Sequence, residues 1–102
     1  MANICTNILV LTNMDEALIS KFIKKMKETF DCYYVDEGEN EVEIGFSSKY
    51  SFPAKELKEI TGNMDKFKAC IDVLSYDFCV NYARYHQFMD GEWRDLWSGE
   101  TI

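Results

Sequence analysis

The stretch DCYYVDEGENEVEIGFSS, residues 31–48, decides the fold because it predicts a β-hairpin in the middle of the chain. Two runs rich in β-branched and aromatic residues flank the glycine-containing connection GEN, which is typical of a hairpin. The second run alternates between an apolar face and a small or acidic face: Val42, Ile44 and Phe46 against Glu41, Glu43, Gly45 and Ser47. This alternation predicts a strand with one side in the core and the other in water.

A strand and a helix are predicted before the hairpin. The run NICTNILVLT, residues 3–12, has the period-two alternation of a strand. Asn13 and Glu16 match a capping box, which predicts that a helix begins there. Apolar residues then recur at helical spacing at positions 18, 19, 22, 23, 26 and 30. We therefore predict an amphipathic helix over about residues 14–29.

A short helix and three strands are predicted after the hairpin. Pro53 suits the first position of a helix and Gly62 its end, so we predict a helix over about residues 53–61. From Phe67 the apolar period returns to two, which predicts a fourth strand. The run CVNYARYHQFM, residues 79–89, predicts a fifth strand that leads through the turn pair Asp90-Gly91 into a sixth.

The predicted order is β-α-β-β-α-β followed by a C-terminal β-hairpin. With right-handed crossovers, two helices cover one face of an antiparallel sheet, which is the ferredoxin-like arrangement in the α+β class. A chain of 102 residues suits one domain, and we expect residues 1–102 to form it. The opposite face of the sheet then has no helix to cover it.

Composition narrows the classes of function. The net charge is −7, and no basic patch is available to neutralise phosphates, so we predict no direct nucleic-acid binding. The apolar run at residues 8–11 is too short for a signal peptide or a membrane span, so we expect a cytoplasmic protein without membrane association. The four cysteines match no zinc or redox spacing and lie in apolar stretches, which predicts four buried, reduced thiols: Cys5, Cys32, Cys70 and Cys79.

Three short stretches resemble one protein family. The opening MANICTN is similar to the Met-Ala-Asn-aromatic-Cys-x-Asn start of the YubB ferredoxin-like domain family, small proteins of plasmids, phages and other mobile elements. SSKYSFP resembles the middle motif of that family, with Tyr50 and Pro53 as its aromatic residue and proline, and DGEW resembles its C-terminal hairpin. The resemblance implies a ferredoxin-like fold and a mobile-element context, and it brings no established activity or catalytic residue.

Aromatic residues are concentrated in YDFCVNYARYHQFMDGEWRDLW, residues 76–97, which also holds the single histidine. Large amphipathic rings beside arginines are typical of binding hot spots, although a small core can also bury them. Both interpretations stay open from the sequence. The candidate interaction surface comprises Tyr82, Arg84, His86, Phe88, Trp93, Arg94 and Trp97.

Other candidate sites have weaker signals. A pocket near Tyr82, His86 and Trp93 would give a small-molecule-binding or catalytic domain, but no nucleophile motif accompanies His86. The acidic stretch DEGENEVE, residues 36–43, lacks the spacing of a calcium loop and is typical of a solvated hairpin tip. Lysines at positions 21, 24, 25 and 27 fit a solvated helix face. We therefore predict no catalytic residue, metal or cofactor.

The sequence favours a non-enzymatic binding module. Its helix-free sheet face and aromatic hairpin would contact a protein, which is either a different chain or a second copy that forms a homodimer. One alternative is the pocket described above, with small-molecule binding or catalysis. The other is an acidic decoy that mimics nucleic-acid charge, which would need one continuous negative stripe.

Overall fold

The computed structural model describes residues 4–12, 16–62 and 69–97, which form an α+β fold. The elements in chain order are β1 (Ile4–Thr12), α1 (Glu16–Thr29), β2 (Asp31–Gly38), β3 (Glu41–Lys49), α2 (Ala54–Gly62), β4 (Cys70–Asp77), a 3-10 turn (Phe78–Val80), β5 (Tyr82–Met89) and β6 (Glu92–Asp95). The predicted cap at Asn13 and the predicted strand start at Phe67 lie outside the described residues. Neither α1 nor α2 is long and apolar enough to cross a membrane.

The six strands form one antiparallel sheet in the order β2-β3-β1-β4-β5-β6. Tight turns close the two outer hairpins. Asn40 in the β2–β3 turn has φ 61°, and Asp90 and Gly91 in the β5–β6 turn have φ 54° and 81°. Two successive positive φ values match the turn that best follows the twist of a hairpin, which confirms the predicted turn at Asp90-Gly91.

Both helices pack on the same face of the sheet. The predicted apolar stripe of α1 is confirmed, with Phe22 and Met26 buried against the sheet and Leu57 of α2 beside them. The central strands contribute alternate residues to this core: Leu9, Leu11, Val42, Ile44, Phe46, Ile71 and Val73. The opposite face of the sheet lacks a helix among the described residues, and we call it the open face.

A buried asparagine ties the three central strands together. Asn7 on β1 is fully buried on the helix side, where its Nδ2 donates to Ser48 Oγ on β3 at 2.9 Å. Ser75 Oγ on β4 donates to Asn7 Oδ1 at 2.5 Å. Because a buried amide without partners is costly, these bonds favour the observed register of β3, β1 and β4.

The beginning of the fifth strand differs from the prediction. The sequence predicted a strand from Cys79, but residues Phe78–Val80 form a 3-10 turn and β5 begins at Tyr82. The Asp77 carboxylate accepts a hydrogen bond from the Cys79 backbone N–H at 3.0 Å and so caps this turn. Local capping by an aspartate therefore outweighs the strand propensity of the apolar residues that follow it.

Gly45 on β3 is buried, although it lies on the face of the strand that was predicted to contact water. The ring of Tyr34, from the neighbouring strand β2, lies directly over it on the open face. A Cβ built on Gly45 would lie 2.2 Å from Cε1 of Tyr34, far inside van der Waals contact. The absence of a side chain at Gly45 therefore allows Tyr34 to lie flat across the sheet.

Replacing Gly45 by alanine should displace the Tyr34 ring. We expect Gly45→Ala to lower the free energy of unfolding by about 1 kcal/mol, because the displaced ring loses its hydrogen bond to Glu43. In a Tyr34→Ala background the same change should cost much less, since the clash is gone. Urea denaturation measures both differences, and Gly62→Ala is the matched control because an added Cβ there meets nothing within 4 Å. Equal costs in the two backgrounds would contradict this account of Gly45.

Candidate functional site

The predicted surface residues of the C-terminal hairpin are divided between the two faces of the sheet. On β5, alternation places Tyr82, Arg84, His86 and Phe88 on the helix side. Trp93 of β6 pairs with Phe88 and lies on the same side. Arg94 points to the open face, and Trp97 follows the end of β6. The structure therefore does not bring these seven residues together on one surface.

Three of the seven are part of the core. His86, Phe88 and Trp93 are 5%, 7% and 3% exposed. The ring centroids of Phe88 and Trp93 are 5.3 Å apart, and the Trp93 indole N–H donates to Thr61 Oγ1 of α2 at 3.0 Å. These rings attach the β5–β6 hairpin to the second helix. While the chain is folded as described, they are not available to a partner.

Phe52 contacts both of the β5 residues from which the sequence suggested a pocket. Its ring stacks on the His86 imidazole, with centroids 3.7 Å apart and planes 10° from parallel. Its backbone N–H donates to the Tyr82 hydroxyl at 3.0 Å. One face of the imidazole is therefore covered by a side chain of the β3–α2 connection.

The environment of His86 favours its neutral form. Burial lowers the pKa of the imidazole; Asp95, whose carboxylate lies 3.9 Å from Nε2, opposes this shift, and Arg84 adds to it. Nδ1 is buried and has no hydrogen-bond partner among the described residues. His86 is therefore a buried imidazole, held in its neutral form and packed against Phe52.

The four cysteines are free thiols, as predicted, but their burial differs. Cys5 is buried, Cys32 and Cys70 are half-buried, and Cys79 is exposed on the 3-10 turn. The prediction that all four are buried is therefore confirmed for Cys5, holds in part for Cys32 and Cys70, and is wrong for Cys79. Burial raises the pKa of Cys5, Cys32 and Cys70, so these thiols stay protonated and are poor nucleophiles.

The charged stretches do not form a metal site or a basic patch in the described part of the chain. There, no group of three or more His, Cys, Asp or Glu side chains could hold a metal ion. Lys21 and Lys25 of α1 border a groove whose other side carries Glu56 and Glu59 of α2. The positive charge of the first helix is therefore compensated locally.

The open face carries a continuous line of side chains across five strands. Strand pairing places these residues side by side in the order Tyr34, Gly45, Ile8, Leu74 and Tyr85, and we call them the central row. Beyond Tyr85, the Trp97 ring stands edge-on to the tyrosine, with centroids 6.5 Å apart. The central row is apolar and aromatic apart from the glycine that Tyr34 covers.

An acidic line runs beside the central row. Strand pairing gives the order Asp36, Glu43, Val10, Asp72, Gln87 and Arg94, which we call the acidic row. The first five of these residues each lie two positions along their strand from a member of the central row. Arg94, on β6, pairs with Gln87 and ends the acidic row. The open face therefore presents an apolar line in parallel with a line that carries three carboxylates, Asp36, Glu43 and Asp72, and ends at Arg94.

Hydrogen bonds hold two carboxylates of the acidic row in place. The Tyr34 hydroxyl donates to Glu43 Oε2 at 2.5 Å, and this bond raises the pKa of Tyr34 to about 12. Gln87 Nε2 donates to Asp72 Oδ1 at 2.9 Å. Burial raises the pKa of Tyr85, and a hydrogen bond to Asp72 raises it further. Hydrogen bonds between the two rows therefore restrict the positions of the tyrosines of the central row and of the carboxylates of the acidic row.

The sequence prediction named the helix-free face but not the residues at its centre. Ile8, Leu74 and the two tyrosines of the central row were not among the candidate residues. The available signal was in the faces of the predicted strands, because Leu74 is a large apolar residue on the side of β4 that also carries Asp72. In the described part of the chain, no helix packs on that side that would account for an apolar residue there.

Comparison with known proteins found no relative. No protein-family model matches the chain, no curated protein matches it, and no solved structure matches it.

The stability of the protein should fall in mild acid because of His86. The unfolded chain protonates its histidine near the ordinary pKa of 6.5, whereas the folded state has a lower pKa and takes up the proton later. Stability from this group is therefore complete above pH 6.5 and is lost as the pH falls through the folded pKa. Urea denaturation at about pH 7.5 and about pH 5.5 measures this loss.

The matched variant is His86→Phe, which keeps a ring against Phe52 but does not titrate. No second histidine is present, so no other imidazole contributes to the difference. We expect the variant to lose less stability than the wild type between the two pH values. An equal or larger loss in the variant would show that His86 is not the titrating group.

Proposed function

We propose that this protein is a non-enzymatic binding module that contacts another protein through its open face. One observation carries the proposal: the central row forms an unbroken line across β2, β3, β1, β4 and β5 on the open face. Lone apolar residues on a surface need no explanation, but a contiguous apolar line indicates a contact site.

The chemistry of the central row suits protein contact. Leu74 is 38% exposed, Tyr34 is 42% exposed, and Trp97 at the end of the row is 58% exposed. Tyrosine and tryptophan are enriched at interface hot spots because they combine large apolar rings with a polar group. The β-strands beneath hold these side chains in fixed positions, which lowers the entropy cost of binding.

The proposed surface differs in composition from the sequence-based candidate. Arg94 and Trp97 remain in it, because one lies on the open face and the other approaches Tyr85. Tyr82 and Arg84 lie on the helix side of β5, and His86, Phe88 and Trp93 are buried on that same side. Ile8, Leu74 and Tyr85 take their place at the centre of the contact.

We further propose that the fold is ferredoxin-like and that the chain is a YubB-type domain. The strand order β2-β3-β1-β4 with two helices on one face supports the fold, and β5 and β6 extend that arrangement at the β4 edge. The family proposal is supported by the sequence stretches similar to the YubB motifs, among which SSKYSFP and DGEW lie in the described part of the chain.

The two alternative functions have less support. A ligand pocket near Tyr82, His86 and Trp93 is disfavoured, because the Phe52 ring packs against the imidazole where a ligand would lie. The acidic decoy needs one continuous negative stripe, but Val10 interrupts the acidic row and Arg94 ends it. Protein contact through the central row depends on neither feature.

Site-specific photo-crosslinking tests the proposed contact. A photoreactive side chain at position 74 lies on the open face, whereas one at position 24 lies on the exposed side of α1 and is the control. In a lysate of the source cells, we expect the label at position 74 to join one discrete protein and the label at position 24 to join none. Adding Ile8→Lys to the chain labelled at position 74 should abolish the crosslink, since a charge would then interrupt the central row.

Two outcomes would contradict the proposal. The same products from both positions would show collisions without a site, and no product from position 74 would show that the open face has no protein partner. A product of twice the chain's own mass would identify a second copy as the partner, which sedimentation of the pure protein would verify.

A further inference from the structure

We propose that the partner presents a basic amphipathic segment, with its apolar side chains on the central row and its Lys or Arg side chains on the acidic row. This inference rests on the proposed protein-binding function and adds the chemistry of the partner. It follows from the parallel course of the two rows on the open face.

The spacing of the rows fits one amphipathic segment. Ile8 and Val10, like Leu74 and Asp72, are two positions apart on one strand and share a face. Two residues of a strand cover about 6.6–6.8 Å, so the apolar and acidic lines are separated by about one side-chain width. A helix with an apolar stripe beside a basic stripe can contact both lines at once.

The length of the central row sets the size of that segment. From Tyr34 on β2 to Tyr85 on β5, the row crosses four spacings between neighbouring strands. At about 4.8 Å for each spacing, the row is about 19 Å long. A helix of about 13 residues has this length, so a short helical segment of a larger protein could cover the row.

Two carboxylates of the acidic row, those of Glu43 and Asp72, are oriented so that they can bind a cationic side chain. Glu43 and Asp72 flank Val10 on the two strands that pair with β1. The hydroxyl of Tyr34 donates to Glu43, and the amide of Gln87 and the hydroxyl of Tyr85 donate to Asp72. Because each carboxylate oxygen has two lone pairs, both groups can still accept a hydrogen bond from a partner. A lysine or arginine of the partner that lies over Val10 would be between the carboxylates of Glu43 and Asp72. Because these carboxylates are already oriented, charge-assisted hydrogen bonds to them are favoured.

The negative charge of the acidic row disfavours nucleic acid, anionic lipid and a second copy of this chain as occupants of the open face. Nucleic acid and anionic lipid would bring phosphates toward Asp36, Glu43 and Asp72. A second copy of this chain, with net charge −7, would bring the same carboxylates to the interface. A cationic protein segment is the occupant that complements the acidic row.

Three synthetic helical peptides of about 13 residues test the inference on the wild-type protein. The basic peptide carries leucines on one face and lysines beside them. The acidic peptide has glutamates in place of the lysines, and the polar peptide has serines in place of the leucines. Isothermal calorimetry measures their affinities between about 50 and about 300 mM salt, a range over which exposed charges are increasingly screened.

We expect the basic peptide to bind at least about tenfold more tightly than the acidic and polar peptides at low salt, and to weaken as salt rises. Glu43→Gln with Asp72→Asn should weaken it about fivefold, since two exposed ion pairs are lost. These substitutions keep an oxygen that accepts the hydrogen bonds from Tyr34 and Gln87. The matched control is Glu28→Gln with Glu59→Gln, which removes the same charge from the helix side and should leave the affinity unchanged.

The results separate this inference from the function on which it rests. Equal binding of the basic and acidic peptides, equal binding of the basic and polar peptides, or no binding of the basic peptide would each overturn the basic amphipathic partner. None of these results would affect a discrete crosslink from position 74, which decides whether the open face binds protein at all. The peptide comparison uses the wild-type chain, so it remains decisive even if the double variant does not fold.

Discussion

The packing of both helices on one face of the sheet is the constraint on which the rest of this structure depends. Phe22 and Met26 of α1 and Leu57 of α2 bury their side chains against Leu9 and Ile44 on the central strands. Each fully buried side chain of this size contributes about 1.5–3 kcal/mol. Because the apolar stripes of both helices are used on one side, the other side of the sheet carries no helix within residues 4–12, 16–62 and 69–97. The open face is therefore a direct consequence of how the core forms.

The aromatic residues of the C-terminal hairpin have two separate roles. Phe88 and Trp93 anchor β5 and β6 to the second helix, and the Phe52 ring contacts both Trp93 and His86. This anchoring extends the sheet beyond β4 and widens the open face by two strands. Tyr85 and Trp97, from the same segment, then continue the central row to the edge. One stretch of sequence thus builds part of the core and part of the proposed contact surface.

Polar groups on the open face are coupled to the apolar ones. Tyr34 lies over Gly45 and donates to Glu43, while Gln87 donates to Asp72. A partner that covers the central row would therefore meet carboxylates whose positions are set by the same side chains that form the row. Coupling of this kind gives a surface both shape and charge specificity, and it needs no cavity or catalytic group.

The sequence by itself determined the order of the helices and strands, the faces of α1 and β3, and the turn at Asp90-Gly91, because periodicity and turn chemistry are local. It could not assign the faces of β5, since both carry polar and aromatic residues. Only the tertiary structure decided that Phe52 covers His86, that Asp77 caps a turn where a strand was predicted, and that Ile8, Leu74 and Tyr85 lie side by side. Those contacts join residues from different strands and loops. The register of the strands brings these residues together, and the packing of the whole sheet sets that register.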